Sequence, residues 1–529
     1  MPDASGYELK PSKQAAKSRP KKLREYLVAD LFCGAGGTSH GAHKAIQERG
    51  GKMNLVAVNH WQTAIDTHSA NMPLARHYCM NLEDARPDEL VPEGYLDILT
   101  ASPSCTHHSR ARGGKPTHDQ MRMDPWTVCR WITTLKVRRL LIENVREIVD
   151  WGPVDLETGK PIKARKGEYF RAWISALQAA GMRLEWRVLN AADYGDATTR
   201  ERFFMIGTTD GGPIVWPKQT HAAPHLAEQL DLPAWRTSRE VIDWSNRGAC
   251  LFQRKRPLKP KTLRRIYVGV HRHFGALATL YKQALEIEIR RSCAFYGETV
   301  DMYIPAPRHA TAIEGACVIE MRGTSTAHGI DRPLPTITAG GTHLGVIDAA
   351  AEPFVLSQAS GGAPRAVSLP VPTIPCGGAH AVAQAEVGVV GAEAPANAIV
   401  FHLTHGGERK TLTEANPLPT ITCANRGELG IVTREIVNAV STPETAAALE
   451  DAHARGLLFM ENNDPARLRI LRLNYRMLTA RELASAMSFN DKDGDYLFTG
   501  VSGDVIRQIG NAVPVSTAKS LISAIVDTL

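Results

Sequence analysis

Short, largely apolar runs punctuate the first two hundred residues, each followed by a polar turn and a stretch with helical periodicity. Tyr26–Leu31, Leu55–Val58, Leu96–Ala101 and Arg139–Ile142 read as strands, and a helix is expected over Gly41–Glu48. Short apolar strands alternating with helices predict an α/β fold, a mostly parallel sheet covered on both faces. Ligands of such sheets bind beyond the carboxyl ends of the strands. Three chemically distinctive segments fall there: the glycine turn Phe32-Cys33-Gly34-Ala35-Gly36-Gly37, then Pro103-Ser104-Cys105, then Glu143-Asn144-Val145. Taken singly, each has a plain reading as a common turn, a packed thiol or a solvated carboxylate. Together they suggest a nucleophile, a cofactor loop and a carboxyl group converging in one site.

The pattern changes between about Trp244 and Asp464, where Pro, Gly and Thr rise and helical periodicity fades. A short repeat appears at Pro333–Thr338, Pro370–Pro375 and Pro417–Thr422, with copies roughly 40 residues apart. We read this region as a β-rich insertion of short hairpins, the alternative being unrelated proline-containing hairpins. Beyond it, Thr479 followed by Glu482 forms a capping-box pattern. An amphipathic helix is expected over Ser516–Val526, docking back on the first domain. The expected divisions are a basic, disordered tail over 1–24, a catalytic domain over 25–245, the insertion over 246–463 and a returning segment over 464–529.

Composition supports a folded protein, with 43% hydrophobic and 22% charged residues over a length of 529. The net charge of +7 is modest, but its placement is uneven. Seven basic residues from Lys10 to Arg24 crowd the start, and Arg254, Lys255, Arg256, Lys259, Lys261, Arg264 and Arg265 form a second cluster. Such clusters suit a polyanion, with a solvated face or tail as the bland alternative. With neither a signal-peptide core nor an apolar run of about 20 residues, a cytoplasmic protein is expected. Nine cysteines without a Cys-x-x-Cys pair argue against a disulfide framework or a structural zinc site. His107-His108 is read as touching substrate or a neighbouring loop rather than metal.

With these residues assembled, the chain resembles the DNA (cytosine-5) methyltransferase family. Asp30 to Gly37 is similar to that family's cofactor loop, Pro103-Ser104-Cys105 to its nucleophile loop and Glu143-Asn144-Val145 to its carboxyl motif. Ala192–Gly195 with Thr199–Arg202 resembles the paired-arginine strand, and Arg476–Phe489 and Arg507–Val515 resemble the last two motifs. The resemblance implies a Rossmann-like methyltransferase domain with a target-recognition insertion. It implies S-adenosylmethionine as cofactor, held by Asp30, Phe32, Gly34, Gly36, Gly37, Asn59, Trp61, Asn81 and Asn511. Cys105, Glu143, Arg200 and Arg202 become the catalytic set. The residue types suit the chemistry: C5 of cytosine is a poor nucleophile, a thiolate on C6 pushes electron density onto it, and a carboxyl group at N3 takes up the charge that develops.

Four positions depart from the family pattern. Ser104 replaces a proline, Asn59 and Asn81 replace acidic residues, and Thr198 replaces a glutamine. The asparagines still accept hydrogen bonds without charge assistance, so weaker cofactor binding is expected. The expected substrate is duplex DNA with the target base flipped out. Arg322, Arg365, Arg409 and Arg426 are candidates for guanine contacts, the chain is expected to be a monomer, and a restriction endonuclease is a possible partner. An RNA (tRNA) cytosine methyltransferase and an inactive DNA-binding homologue are the alternatives.

Overall fold

The computed structural model describes residues 23–103, 124–155, 157–158, 161–237, 240–241, 243, 249–273, 278–300, 454–460, 468–477, 479–490 and 494–529, with separate strands between 316 and 433. Residues 1–22, residues 104–123 with Cys105, and the three proline repeats lie outside the described residues.

Seven strands make the first sheet: β1 (Arg24–Leu31), β2 (Gly51–Asn59), β3 (Arg76–Cys79), β4 (Tyr95–Ala101), β5 (Lys136–Asn144), β6 (Arg183–Asn190) and β7 (Glu201–Thr208). Their order is β3-β2-β1-β4-β5-β7-β6. The first five are parallel, and β7 runs antiparallel to β5 and β6. Leu31 lies beside Val58 and Ala101, and Ala101 beside Ile142, so the carboxyl ends share one edge. The chain order reverses between β1 and β4, which opens a crevice there. All six residues from Tyr26 to Leu31 are buried because helices cover both faces. Three of these helices are α1 (Gly37–Glu48), α2 (Gln62–Asn71) and α3 (Asp124–Thr134), and a fourth is α4 (Glu168–Ala179). Leu27, Leu99, Trp131 and Trp173 pack on one face of the sheet.

Two helices open the insertion, α5 (Pro260–His273) and α6 (Ala278–Tyr296), an element that the reading of the insertion as short hairpins missed. Buried Glu288 on α6 pairs with Arg291 and Arg455, each at 3.1 Å. Arg455 also donates to the Phe252 carbonyl. The strands that follow build a nine-stranded sheet and a three-stranded one. The longest pairing joins His380–Val389 to Leu468–Met477, and Leu468–Met477 also pairs with Ala249–Cys250. By pairing, therefore, the inserted sheet runs on to Met477, beyond the expected boundary at 463 and through Arg476.

The returning segment carries α7 (Ala480–Ala486), α8 (Ser502–Asn511) and α9 (Val515–Val526). The Thr479–Glu482 capping box opens α7. The other carboxylate oxygen of Glu482 accepts from the Asp243 backbone N–H at 2.8 Å, stitching together the two ends of the insertion. Helix α9 lies against α1, and Leu521, Ile522 and Ile525 join Val28, Ala45, Ile98, Leu141 and Phe204 in the core of the second sheet face. Each such side chain contributes about 1.5–3 kcal/mol. Asp196, fully buried, caps α9 by accepting from the backbone N–H groups of Ser516 (3.2 Å) and Thr517 (3.0 Å) and from the Thr517 hydroxyl (2.7 Å). Ser502–Val526 is the one stretch among the described residues long and apolar enough to cross a membrane. It is broken at Ala512–Pro514, and 72% of its apolar window is buried in the fold, as befits core helices.

Candidate active site

Glu143 ends β5 at the shared carboxyl edge, buried, with Phe204 opposite it on β7. Side chains two apart on a strand share a face, so Arg202 lies diagonally across from Glu143. Its Nε is 3.3 Å from Glu143 Oε1, and each side chain is 11% exposed. Buried Arg200 donates to the Gly510 carbonyl at 2.9 Å, tying this strand to the end of α8. Burial raises the Glu143 pKa, and the opposing pull of Arg202 and then Arg200 does not cancel the rise. The carboxyl group therefore holds a proton more tightly than a free glutamate does.

Asn144 does a different job from its neighbour. Its Oδ1 accepts from the Val145 N–H at 2.9 Å and its Nδ2 donates to the Pro103 carbonyl at 3.1 Å. The Ser102 N–H bonds the Leu31 carbonyl at 3.1 Å. The start of the segment bearing Ser104 and Cys105 is thus anchored beside Glu143, although both residues lie outside the described residues. A small cleft at this point is lined by Thr38, Ser102, Glu143, Phe204 and Val513, drawn from five separate segments.

The glycine turn sits across the crevice. Phe32, Gly34 and Gly36 adopt left-handed backbone conformations, with φ of 57°, 53° and 92°. Helix α1 starts at Gly37, four residues earlier than expected, because Gly36 serves as its N-cap. The glycines do not share one role. A Cβ on Gly37 would lie 2.2 Å from the Val513 carbonyl oxygen, and one on Gly36 would lie 2.7 Å from the Tyr496 hydroxyl. Those two glycines admit the returning segment, whereas Gly34 has only the Phe32 carbonyl within 4.0 Å and faces open space. The Tyr496 hydroxyl donates to the Ala35 carbonyl at 2.6 Å.

Other predicted residues fall at the same edge with altered roles. The Asp30 carboxylate is buried and already bonded, by Ser39 at 2.5 Å and Thr100 at 2.9 Å, so it shapes the turn from within. Asn59 Oδ1 accepts from the Trp61 N–H at 2.9 Å, leaving its amide for a hydroxyl. The Arg507 guanidinium covers one face of Trp61 at 4.6 Å, so an adenine could stack only on the other. Asn81 and Asn511 are exposed. The left-handed Gly34, the exposed Asn81 and the remaining face of Trp61 fit a nucleoside-bearing cofactor.

The family profile for C-5 cytosine-specific DNA methylases matches residues 26–232 and 413–527, which include the glycine turn, Glu143, Arg202 and the returning helices. The chain belongs to that family. It is 27% identical over 194 residues to the type II methyltransferase M.Sau3AI of Staphylococcus aureus, covering 35% of this chain and 44% of that one. It is 28% identical over 216 residues to M.SacI of Streptomyces achromogenes, covering 37% and 52%. It is 26% identical over 225 residues to M.AquIA of Picosynechococcus sp., covering 39% and 82%. The chain spans about half the length of the first two of these relatives. Residues 233–412 lie outside the family match.

Asn144, Asp196 and Tyr496 escaped the sequence reading. Asn144 stands in the quoted carboxyl motif, and its amide next to a chemically important carboxylate was a usable signal. Asp196 and Tyr496 act on partners hundreds of residues away and left none.

Proposed function

We propose that this chain transfers a methyl group to C5 of cytosine within a specific duplex DNA sequence. The observation that carries the reading is Glu143, buried, with its pKa raised by that burial and flanked by Arg202 beside the anchored start of the Cys105 segment. Cys105, as thiolate, adds to C6, and the S–C6 bond pushes the ring electrons towards C5. Glu143 donates its proton to N3 as that charge develops, with Arg202 holding the carboxyl in place. After methylation, water takes the C5 proton, the thiolate leaves C6 and the N3 proton returns to Glu143, which restores both the ring and the carboxyl group. S-adenosylmethionine, when bound, supplies the methyl group; Gly34, Phe32, Asn59, Trp61 and Asn81 would hold it.

The insertion is the proposed target-recognition module. Within its basic cluster, Arg256 bonds Tyr296 and Arg264 bonds the Thr299 carbonyl, while Lys255, Lys259 and Lys261 are exposed. These lysines suit phosphates, whose contacts position the protein without reading sequence. Lys10 to Lys22 of the other basic cluster and Arg322, Arg409 and Arg426 lie outside the described residues, Arg24 opens β1, and Arg365 lies on a strand of the inserted sheet. A monomer in the cytoplasm, acting alone or beside an endonuclease, completes the proposal.

The test is nucleoside mass spectrometry with bisulfite sequencing on DNA from cells lacking cytosine methylation that express the chain or its Cys105→Ala variant. The expected result is 5-methylcytosine at one short motif, lost in the variant. Methylation confined to RNA would move the reading to the tRNA-type alternative, and no modified base from folded protein would favour an inactive DNA-binding homologue.

A further inference from the structure

Behind the glycine turn runs a chain of hydrogen bonds that the chemistry proposed above does not use. Asp30 at the end of β1 accepts from Ser39 on α1, and Ser39 Oγ lies 3.0 Å from His68 Nε2 on α2. His68 Nδ1 in turn lies 2.9 Å from Nε2 of half-buried His77 on β3. Asp30, Ser39 and His68 are each no more than 1% exposed. Burial lowers the His68 pKa to about 3, so its ring is neutral, with one donor and one acceptor nitrogen. An ionised Asp30 can only accept, which makes Ser39 its donor, His68 Nε2–H the donor to Ser39 and His77 the donor to His68 Nδ1. One tautomer satisfies every member.

The same imidazole touches the turn itself. A Cβ on Gly36 would stand 3.0 Å from His68 Cδ2, so the ring forms the floor beneath Gly36. Three left-handed residues in six do not hold such a turn unaided, and the Tyr496 hydroxyl and the His68 ring both brace it at the Cβ position of Gly36. We infer that His68 is a positioning residue for the cofactor loop, oriented by His77 and acting through Ser39 and Asp30, and that it sets affinity for S-adenosylmethionine rather than the rate of methyl transfer. The inference rests on the reading that this loop receives that cofactor. Neither Glu143 nor Arg202 lies on the chain of bonds, so its loss spares the groups that face the base.

Calorimetric titration of the full chain with S-adenosylmethionine, paired with steady-state methyl transfer, tests it. His68→Phe and Ser39→Ala are expected to raise Kd and cofactor KM roughly tenfold, the scale of one lost buried hydrogen bond, with kcat at saturating cofactor within about twofold. Their combination should weaken binding no further than either alone, and His68→Gln, which keeps a donor, should recover most of the affinity. Unchanged Kd in both single variants overturns the inference. So does a His68→Gln variant as weak as His68→Phe, or a fall in kcat without a change in KM. Ser39→Ala, a minimal truncation, carries the test if His68→Phe fails to fold. Wild-type protein that binds no S-adenosylmethionine overturns the functional reading, and this inference with it, whereas normal wild-type binding with unaffected variants overturns the inference alone.

Discussion

Two buried acids mark the two halves of this molecule, and they are stabilised by opposite means. Asp196 in the catalytic half faces uncharged donors, two backbone N–H groups at the start of α9 and the hydroxyls of Thr517 and Ser488. Burial therefore dominates, and its pKa rises to about 6. Glu288 in the insertion faces two arginines instead. The catalytic half closes by laying a helix end on a carboxylate that lies more than 300 residues earlier, a joint aided by the helix dipole. The insertion ties distant segments through charge, since Arg455 reaches Glu288 across more than 160 residues. A joint of neutral donors tolerates change of protonation; a joint of paired charges tolerates neither partner's loss.

The largest effect expected is on chemistry. Glu143→Gln keeps the shape but has no acidic proton, so single-turnover methylation should fall by about 10²–10⁴-fold with cofactor binding retained. Near-normal turnover would remove Glu143 from the proposed mechanism.

Next, Arg455→Ala leaves Glu288 buried with one partner and should destabilise the insertion by about 3 kcal/mol. Limited proteolysis should then cut the insertion first. Equal weakening of the catalytic half would show that the two halves unfold as one, and the contrast between them would fail.

A smaller effect concerns pH. Asp30 and Asp196 both rise from 3.8 to about 6 in the fold. The folded state thus holds these protons more tightly than the unfolded chain, so their stabilising contribution is complete below pH 3.8 and is lost as pH rises through 6. Each should add about 1 kcal/mol at pH 5 relative to pH 7. Denaturant titrations across that window should show the gain, and Asp196→Asn should remove its share. Stability that climbs from pH 5 to pH 7 regardless of Asp196 would contradict the assignment.

The smallest expected change is Tyr496→Phe, which strips the Ala35 carbonyl of its donor for about 1 kcal/mol and should weaken S-adenosylmethionine binding several-fold. Unaltered binding would mean that the returning segment packs on the turn without setting its shape.

Much of the catalytic half was legible. The four quoted strands, the return of a C-terminal helix and the Thr479–Glu482 cap all appear, because each is written in adjacent residues. The pair Glu143 and Arg202 was legible as two motifs, but their contact follows from the antiparallel register of β5 and β7. Asn59 was read as a cofactor residue, but the bond from the Trp61 N–H to its carbonyl was not legible. The glycines of the turn were read as one group approaching the cofactor. In the fold, Gly36 and Gly37 make room for Tyr496 and Val513, nearly five hundred residues on. The helical pair α5–α6 escaped the reading because the rise in Pro, Gly and Thr was taken to span the whole insertion.

By itself, the sequence determined the elements of the catalytic sheet, the edge at which its chemistry gathers and the family to which the motifs point. Apolar runs and motif spacing are local, and a strand buried on both faces has few other ways to be written. Tertiary structure alone decided that Leu468–Met477 belongs to the inserted sheet, that Asp196 caps α9 and that His68 stands beneath Gly36. Those outcomes depend on which distant surfaces meet, and the free energy of each contact belongs to a pair of residues that no local pattern joins.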